Sequence, residues 1–237
     1  MENIADQIRN LDWELAFENL NSTGHQLFKS VFSNEVCNAL IDGYDNSRLY
    51  RKTIVMERYR FGLGEYKYMK YPLPELIETL RRSVYERLSP LANRWMEALK
   101  IDQRFPNSHT DFKLLCQDNG QTKPTVLILK YGPGGHNTLH QDLYGDVFFP
   151  IQAVIFLSEP KEDYTGGEFV LTEQTPRAQS RPIVLQPKKG DMLLFTTNFR
   201  PVKGSKGYYR SNMKHGFSEV HHGSRYTLGI IFHDAIS

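Results

Sequence analysis

Cysteine is scarce in this sequence, with only Cys37 and Cys116 among 237 residues. Two thiols this far apart match neither a zinc knuckle nor a redox pair, and they cannot build the disulfide framework of a small secreted protein. A chain of this length buries about 70 to 75% of its unfolded surface, so its folding needs neither disulfides nor a structural metal. The sequence therefore predicts a protein of the reducing cytoplasm.

Long apolar runs and a large charge excess are also absent. The longest runs, residues 147–151 and 153–157, are far shorter than the roughly 20 residues that cross a bilayer. The first ten residues lack the apolar segment of a secretory signal. The 29 basic and 27 acidic side chains leave a formal net charge of +2, which disfavours bulk binding to a polyanion but not a local basic patch. We expect no membrane partner.

The residues that are present, 40% of them apolar and 24% charged, are typical of a globular protein. Apolar residues recur at helical spacing through much of the first half. The predicted helices are two short ones within 4–20, one capped by Ser33 and ending at Gly43, one opened by Pro74 and broken near Pro90, and one over 108–117. A short ribbon is expected around residues 52–69.

After residue 124 the pattern changes to short β-branched and aromatic runs separated by turn residues. The predicted strands are 125–131, 151–157, 168–171, 183–185, 192–195 and 226–233. Short strands without intervening helices are typical of antiparallel barrels and jelly rolls. We therefore predict one α+β domain over residues 1–237, in which the helical region 1–124 buttresses a jelly-roll core, a double-stranded β-helix, over 125–237.

His140 and Asp142 lie two residues apart, just after a glycine-rich turn. On a strand this spacing points both side chains to one side. An imidazole and a carboxylate are two ligands of a divalent metal, and a third ligand from a distant strand would complete the facial triad that suits non-haem iron(II). A histidine and an aspartate at this spacing also occur in ordinary surface loops, so the pair alone does not establish a metal site.

Arg225 and Thr227 share a side of the last predicted strand, ten and twelve residues after His215. A guanidinium fork beside a hydroxyl is a good receptor for one carboxylate of a small acid. The alternative for Arg225 is a surface salt bridge. An inward arginine close to the small Gly229 favours the ligand-binding interpretation.

Four motifs in order make residues 125–234 resemble the 2-oxoglutarate and iron(II)-dependent dioxygenases, and among them the prolyl-hydroxylase-like branch. These motifs are Tyr131, Gly134 and Gly135 before His140 and Asp142; then Gly166, Gly167 and Glu168; then Lys189, Gly190 and Asp191; and finally His215, Gly223 and Arg225. The whole chain is also similar to a narrower group of bacterial oxygenases described as predicted oxidative demethylases of damaged DNA.

The resemblance implies a set of ligand-binding residues and a reaction. The iron(II) ligands would be His140, Asp142 and His215, and the residues that hold the cosubstrate 2-oxoglutarate would be Arg225, Thr227 and Tyr131. In this family O2 and 2-oxoglutarate are consumed together, succinate and carbon dioxide are released, and a substrate carbon is hydroxylated. The remaining histidines are not expected to bind metal, and His233 is expected at the rim of the barrel.

Residues 48–70 combine seven basic and five aromatic residues with only two acids. Such a mixture binds single-stranded nucleic acid in some proteins and forms an ordinary exposed ribbon in others. In the family, sequence upstream of the histidine and aspartate motif helps to build the substrate mouth. The substrate candidates here are Arg58, Arg60, Tyr66 and Tyr68.

The sequence specifies the substrate class less well than the metal and cosubstrate residues. AlkB-type DNA demethylases carry a second arginine in an R-x5-R pattern, whereas Arg225 is the last arginine of this chain. A small-molecule or peptidyl substrate is therefore favoured, and oxidative demethylation of alkylated nucleic acid is the alternative. A barrel that senses a metal or a 2-oxo acid without turnover is a second alternative. A zinc hydrolase is disfavoured because H-E-x-x-H is absent.

Overall fold

The computed structural model describes residues 3–237 and contains the predicted α+β fold. The α-helices are α1 (Ile4–Arg9), α2 (Trp13–Ser22), α3 (Asn34–Asp42), α4 (Glu75–Ala98) and α5 (His109–Asp118). The strands are β1 (His25–Phe28), β2 (Tyr50–Val55), β3 (Gly62–Leu63), β4 (Glu65–Met69), β5 (Leu127–Tyr131), β6 (His136–His140), β7 (Ile151–Phe156), β8 (Tyr164–Gly166), β9 (Phe169–Gln174), β10 (Arg181–Leu185), β11 (Met192–Thr196), β12 (Phe199–Gly204), β13 (Gly207–Phe217), β14 (Val220–Gly223) and β15 (Arg225–Ile230). No helix within this described part is long and apolar enough to cross a membrane.

Side-chain caps begin the helices where the sequence predicts them. The Ser33 hydroxyl accepts the Val36 N–H at the start of α3, which ends at Gly43. Ser108 likewise accepts the Thr110 and Asp111 N–H groups at the start of α5. Each cap satisfies backbone donors that have no partner inside the helix, so these boundaries were accessible from local sequence.

The predicted break at Pro90 is wrong, because α4 continues through it. Pro90 is exposed, and so is Glu86, the residue whose carbonyl oxygen loses its helical partner. On the opposite face Leu88, Leu91 and Trp95 are buried. Packing of one apolar face on both sides of the proline stabilises a continuous helix.

Two antiparallel sheets form the double-stranded β-helix. The larger sheet has the order β1-β11-β7-β15-β5-β4-β2, and the smaller has β10-β9-β13-β6-β3 with β12 paired to β13. The early ribbon joins the larger sheet, because β4 pairs with β5. Strand β13 was not predicted from the sequence. Its residues alternate between exposed and buried from 210 to 215, and strands on both of its edges satisfy its backbone.

The larger sheet separates two apolar clusters. On β5, Ile128 packs with the cluster that includes helix α4, while Leu127 and Leu129 belong to the cluster between the two sheets. The same alternation on β15 puts Leu228 on the helical side. Because side chains alternate along a strand, Arg225, Thr227 and Gly229 face the space between the sheets.

Helix α4 is joined to the end of the chain by a buried ion pair. Arg81 contacts Asp234 at 2.8 Å, and both side chains are fully buried. The guanidinium also donates to the carbonyl oxygens of Ile231 and Phe232, and Tyr71 donates to Asp234. Burial of a charged pair is favourable only when its remaining donors and acceptors are satisfied, as they are here. The helical half thus holds the segment that follows β15.

Candidate metal and cosubstrate site

Three side chains able to hold a metal ion converge between the sheets. His140 and His215 lie directly opposite each other on β6 and β13, and each of His140, Asp142 and His215 offers a ligand atom within 4.8 Å of the others. Strand β6 ends at His140, so Asp142 lies just beyond it rather than on the same strand as expected. Its carboxylate still returns to the histidines, at 3.5 Å from His140 Nε2 and 3.2 Å from His215 Nε2.

Hydrogen bonds orient these ligand atoms. His140 Nδ1 lies 2.7 Å from the Thr138 carbonyl oxygen, so it donates there and leaves Nε2 for a metal. The Tyr144 hydroxyl donates to Asp142 Oδ1 at 2.8 Å, and Gln152 Nε2 donates to Oδ2 at 2.9 Å. Each carboxylate oxygen therefore accepts a bond from a different neighbour, which restricts rotation of the carboxylate.

The charges of the site favour an ionised aspartate. Burial acts to raise the pKa of Asp142, but His140 and His215 outweigh it and hold the pKa well below its usual range. Burial also acts to lower the pKa of His140, although Asp142 reverses the shift and raises it. Burial raises the pKa of Tyr144 well above its usual value, so the tyrosine stays a hydroxyl donor. Two imidazoles and one carboxylate with an open side form a donor set that fits iron(II).

A second polar cluster lies on the facing strands β15 and β5. Arg225 is directly opposite Tyr131, and the Arg225 side chain is only 1% exposed. All three guanidinium nitrogens, together with the hydroxyls of Thr227 and Tyr131, have no hydrogen-bond partner among the described residues. The Arg225 guanidinium lies 3.7 Å from the ring centroid of Phe217. Buried donors without partners are costly, so this cluster is suited to an anionic ligand such as a carboxylate.

A cavity of about 200 Å³ connects the metal-ligand cluster to the exterior. Its walls are mainly apolar and include Leu127, Leu129, Val154 and Ile231, while Phe217 separates it from Arg225. The three candidate metal ligands form part of the same wall. A ligand bound at the metal and directed towards Arg225 would therefore pass beside Phe217.

Comparison with known proteins identifies the family. The sequence model of the Oxygenase-NA family, described as "Oxygenase, catalysing oxidative methylation of damaged DNA", matches residues 64–235. The chain belongs to this oxygenase family. It is also 48% identical over 164 residues to an uncharacterized protein present in two strains of Mycobacterium tuberculosis, an alignment that covers 69% of this chain and 70% of the relative.

Solved structures of low sequence identity have the same fold. A Pseudomonas putida prolyl-4-hydroxylase is 13% identical with a TM-score of 0.56, over 94% of this chain and 98% of that chain. A prolyl hydroxylase from Trichoplax adhaerens, solved with a hypoxia inducible factor peptide fragment, is 12% identical with a TM-score of 0.54, over 97% and 91%. The predicted fold and oxygenase class are confirmed, and the three converging side chains fit the Fe(II) site that the family resemblance predicts.

The four substrate candidates of this oxygenase lie in different environments. Tyr66 lines the cavity, and Tyr68 is buried and donates from its hydroxyl to Tyr144 at 3.1 Å. Tyr68 is thus part of the hydrogen-bonded surroundings of the aspartate. Arg58 and Arg60 are exposed and do not line the cavity.

The prediction that His233 lies at the rim is wrong. Its side chain is 1% exposed, its Nδ1 accepts the Phe149 N–H at 3.2 Å, and its ring centroid lies 5.9 Å from that of Tyr144. The expectation measured distance along an ideal extended strand, but β15 ends at Ile230 and the chain then turns inwards. His221 and His222 are exposed on β14, away from the metal-ligand cluster.

Sequence reasoning missed Tyr144 and Gln152, which contact the aspartate. Gln152 is the one polar residue of β7, whose six residues are all buried. Its Nε2 also lies 3.2 Å from His215 Nε2, and its Oε1 accepts the Thr197 hydroxyl at 3.0 Å. A single polar residue inside an otherwise apolar strand was the signal that could have located it, because a buried amide requires partners.

Proposed function

We propose that this oxygenase hydroxylates an aliphatic carbon of a small-molecule or peptidyl substrate, with conversion of 2-oxoglutarate to succinate and carbon dioxide. The observation that carries the proposal is the position of the apolar cavity, which contacts all three candidate metal ligands and is separated by one ring from an unpaired buried arginine. Iron(II), 2-oxoglutarate and O2 supply the oxidising chemistry at such a site.

His140, Asp142 and His215 would hold the iron(II). Gln152 and Tyr144 would keep the Asp142 carboxylate in one orientation through their hydrogen bonds. Such outer partners commonly affect metal affinity by 10- to 100-fold, because they fix the direction of the ligand lone pairs. The neighbouring strands β6 and β13 hold the two histidines at a fixed separation.

Arg225 would bind the distal carboxylate of 2-oxoglutarate, with help from Thr227 and Tyr131. The guanidinium is buried, burial lowers its pKa, and the nearby tyrosines offset only part of that shift. A carboxylate would supply both the missing hydrogen-bond acceptors and the missing negative charge. This pairing supports 2-oxoglutarate, rather than a neutral compound, as the occupant of the cluster.

The test is a succinate-release assay on the iron(II)-loaded protein with amino acids, peptides and methylated oligonucleotides as substrates. Replacement of any candidate ligand, as in His215→Ala, should abolish succinate release and iron binding. The matched control is His221→Ala, which removes an exposed histidine from β14 and should change neither. If His215→Ala kept its iron and its activity while His221→Ala lost them, the ligand assignment would be wrong. Iron binding without succinate would favour the sensing barrel.

Oxidative demethylation of alkylated nucleic acid is a second candidate, because the description of the family that matches residues 64–235 gives damaged DNA as the substrate. It predicts that methylated single-stranded DNA stimulates succinate release and loses its methyl group. It also predicts that binding weakens with salt, at a slope near −0.7 in logarithmic units per neutralised phosphate. Loss of both effects in the double variant Arg58→Ala with Arg60→Ala would support this candidate over the first.

A further inference from the structure

Several of the apolar residues that this oxygenase exposes to solvent lie in segments that border its cavity. Among the large apolar side chains classed as exposed in residues 3–237, ten in all, five lie in two short segments beside the metal-ligand cluster. These five are Tyr59 (53%), Phe61 (44%), Leu63 (37%), Leu139 (45%) and Leu143 (43%). Exposed apolar side chains at the entrance of a cavity, such as Phe61, are typical of a binding surface.

Backbone contacts hold the two segments together. Gly62 and Leu63 of β3 pair with Asn137 and His136 of β6, and the Thr138 N–H donates to the Phe61 carbonyl oxygen at 2.9 Å. We call residues 58–63 the lip. Phe61 is both exposed and part of the cavity wall, as is Thr138, so the cavity opens between the lip and the end of β6.

The lip presents a preformed pair of aromatic rings. Tyr59 and Phe61 are stacked, with ring centroids 5.5 Å apart and planes 19° from parallel. Arg60 between them has a left-handed backbone with φ of 60°, and the Phe61 N–H donates to the Met56 carbonyl oxygen at 3.1 Å. Non-glycine residues in this conformation are uncommon and are often found at functional sites.

The size of the cavity makes this outer surface necessary. Its volume of about 200 Å³ is below the roughly 300 to 1,000 Å³ of ordinary small-molecule pockets. The 2-oxoglutarate bound beside the metal would occupy part of that space. Only a small group of the substrate can then reach the metal, and the rest of a larger substrate must lie outside, across the lip.

On the basis of the proposed function, we propose that the lip binds a polypeptide segment in which apolar residues are accompanied by acidic ones. Tyr59, Phe61 and their leucine neighbours would bind the apolar side chains, and Arg58 and Arg60, both exposed, would pair with the carboxylates. Residues 58–63 contain these two cations, and the one acid directly before them, Glu57, accepts the Gly64 N–H within the same hairpin. A nucleic-acid strand carries one phosphate per nucleotide and is bound by a longer basic groove, so an apolar rim with two arginines fits an acidic peptide better.

Binding can be measured without turnover, using the full chain loaded with Mn(II) and a 2-oxoglutarate isostere that cannot be decarboxylated. The probes are fluorescent ten-residue peptides that mix apolar with acidic residues or apolar with basic residues, and a ten-nucleotide single strand of DNA. The lip variants are Tyr59→Ser with Phe61→Ser and, separately, Arg58→Glu with Arg60→Glu. The matched controls are Val184→Ser and Lys206→Glu, which change an exposed apolar residue and an exposed cation outside the lip.

We expect the acidic peptides to bind most tightly, each lip variant to lose at least tenfold in affinity, and the controls to bind as the wild type does. Equal affinity of the lip variants, tighter binding of the basic peptides or DNA, or no peptide binding at all would overturn the proposal. Unchanged melting temperatures would show that the variants fold. Succinate formed without added substrate, in the iron(II)-loaded wild type and the control variants Val184→Ser and Lys206→Glu alike, would support the proposed function independently of these results.

Discussion

Replacing Arg225 should have opposite effects on stability and on ligand binding. The guanidinium is buried, and none of its nitrogens has a hydrogen-bond partner among the described residues. Without a ligand it is therefore a buried cation whose desolvation is only partly offset by neighbouring Tyr164, Tyr131 and Glu168. In Arg225→Met an unbranched apolar side chain occupies similar space, and we expect the free energy of unfolding without ligand to rise by about 1 to 4 kcal/mol.

The same substitution should greatly weaken 2-oxoglutarate binding. Losing one member of a buried charge-assisted pair costs about 2 to 5 kcal/mol, which corresponds to about 30-fold to several thousand-fold in affinity. At a ligand concentration 100 times its dissociation constant, the wild type should gain about 2.7 kcal/mol of stability, and the variant should gain almost none. Arg225→Lys should recover part of the binding, because it restores the charge without the planar fork.

Chemical denaturation with Mn(II), in the presence and absence of 2-oxoglutarate, measures both effects. Arg200→Met is the matched control, because Arg200 is also buried but pairs with Glu173 and donates to the Asn21 carbonyl oxygen. That control should destabilise the protein and leave 2-oxoglutarate binding unchanged. Equal 2-oxoglutarate affinity in wild type and Arg225→Met would remove the cosubstrate role. A strong loss of stability in Arg225→Met without ligand would refute the unpaired-cation argument.

Three further predictions concern the surroundings of the site. Tyr144→Phe should lower Mn(II) affinity by about 10- to 100-fold in calorimetry with little change in melting temperature, because Asp142 loses one orienting bond; unchanged affinity would contradict this. Gly216→Ala should lower metal affinity and stability together, because a Cβ there would lie 2.5 Å from the Asn137 carbonyl oxygen and push β6 from β13; a fully active variant of normal stability would count against it. Burial holds the pKa of His109 well below its usual value, so only the unfolded state gains a proton there as the pH falls below 6.5. The free energy of unfolding should therefore fall by up to about 1.4 kcal/mol per pH unit. In urea denaturation at pH 7.5 and pH 5, His109→Gln should lose less stability than the wild type.

The parts of the fold that follow from local chemistry were predictable from the sequence. Ser33 and Ser108 mark helix starts because their hydroxyls satisfy nearby N–H groups. Arg225 and Thr227 share a side because strand parity is a local property. The family motifs also brought His140, Asp142 and His215 together as one candidate site, and their role as iron ligands stays a prediction.

The features that were missed depend on contacts distant in sequence. Strand β13 carries charged and small residues that are also typical of loops, and only its pairing with β6, β9 and β12 specifies a strand. The burial of His233 arises from a turn after β15 that strand geometry does not contain. The continuity of α4 at Pro90 reflects packing of its buried face. In each case tertiary contacts override the local preference.

The five residues of strand β6 have two separate roles, one at the metal-ligand cluster and one at the lip. Its last residue, His140, faces His215, whereas Asn137 and Thr138 contact the lip through the backbone and hydroxyl. Side chains in the lip can therefore change without altering the histidine pair, because the lip takes part in these hydrogen bonds only through its backbone. Proteins with this arrangement can acquire new substrates by substitution in one exposed hairpin while the reaction itself is retained. Exchanging residues 58–61 between members of the family should transfer substrate preference without transferring metal affinity.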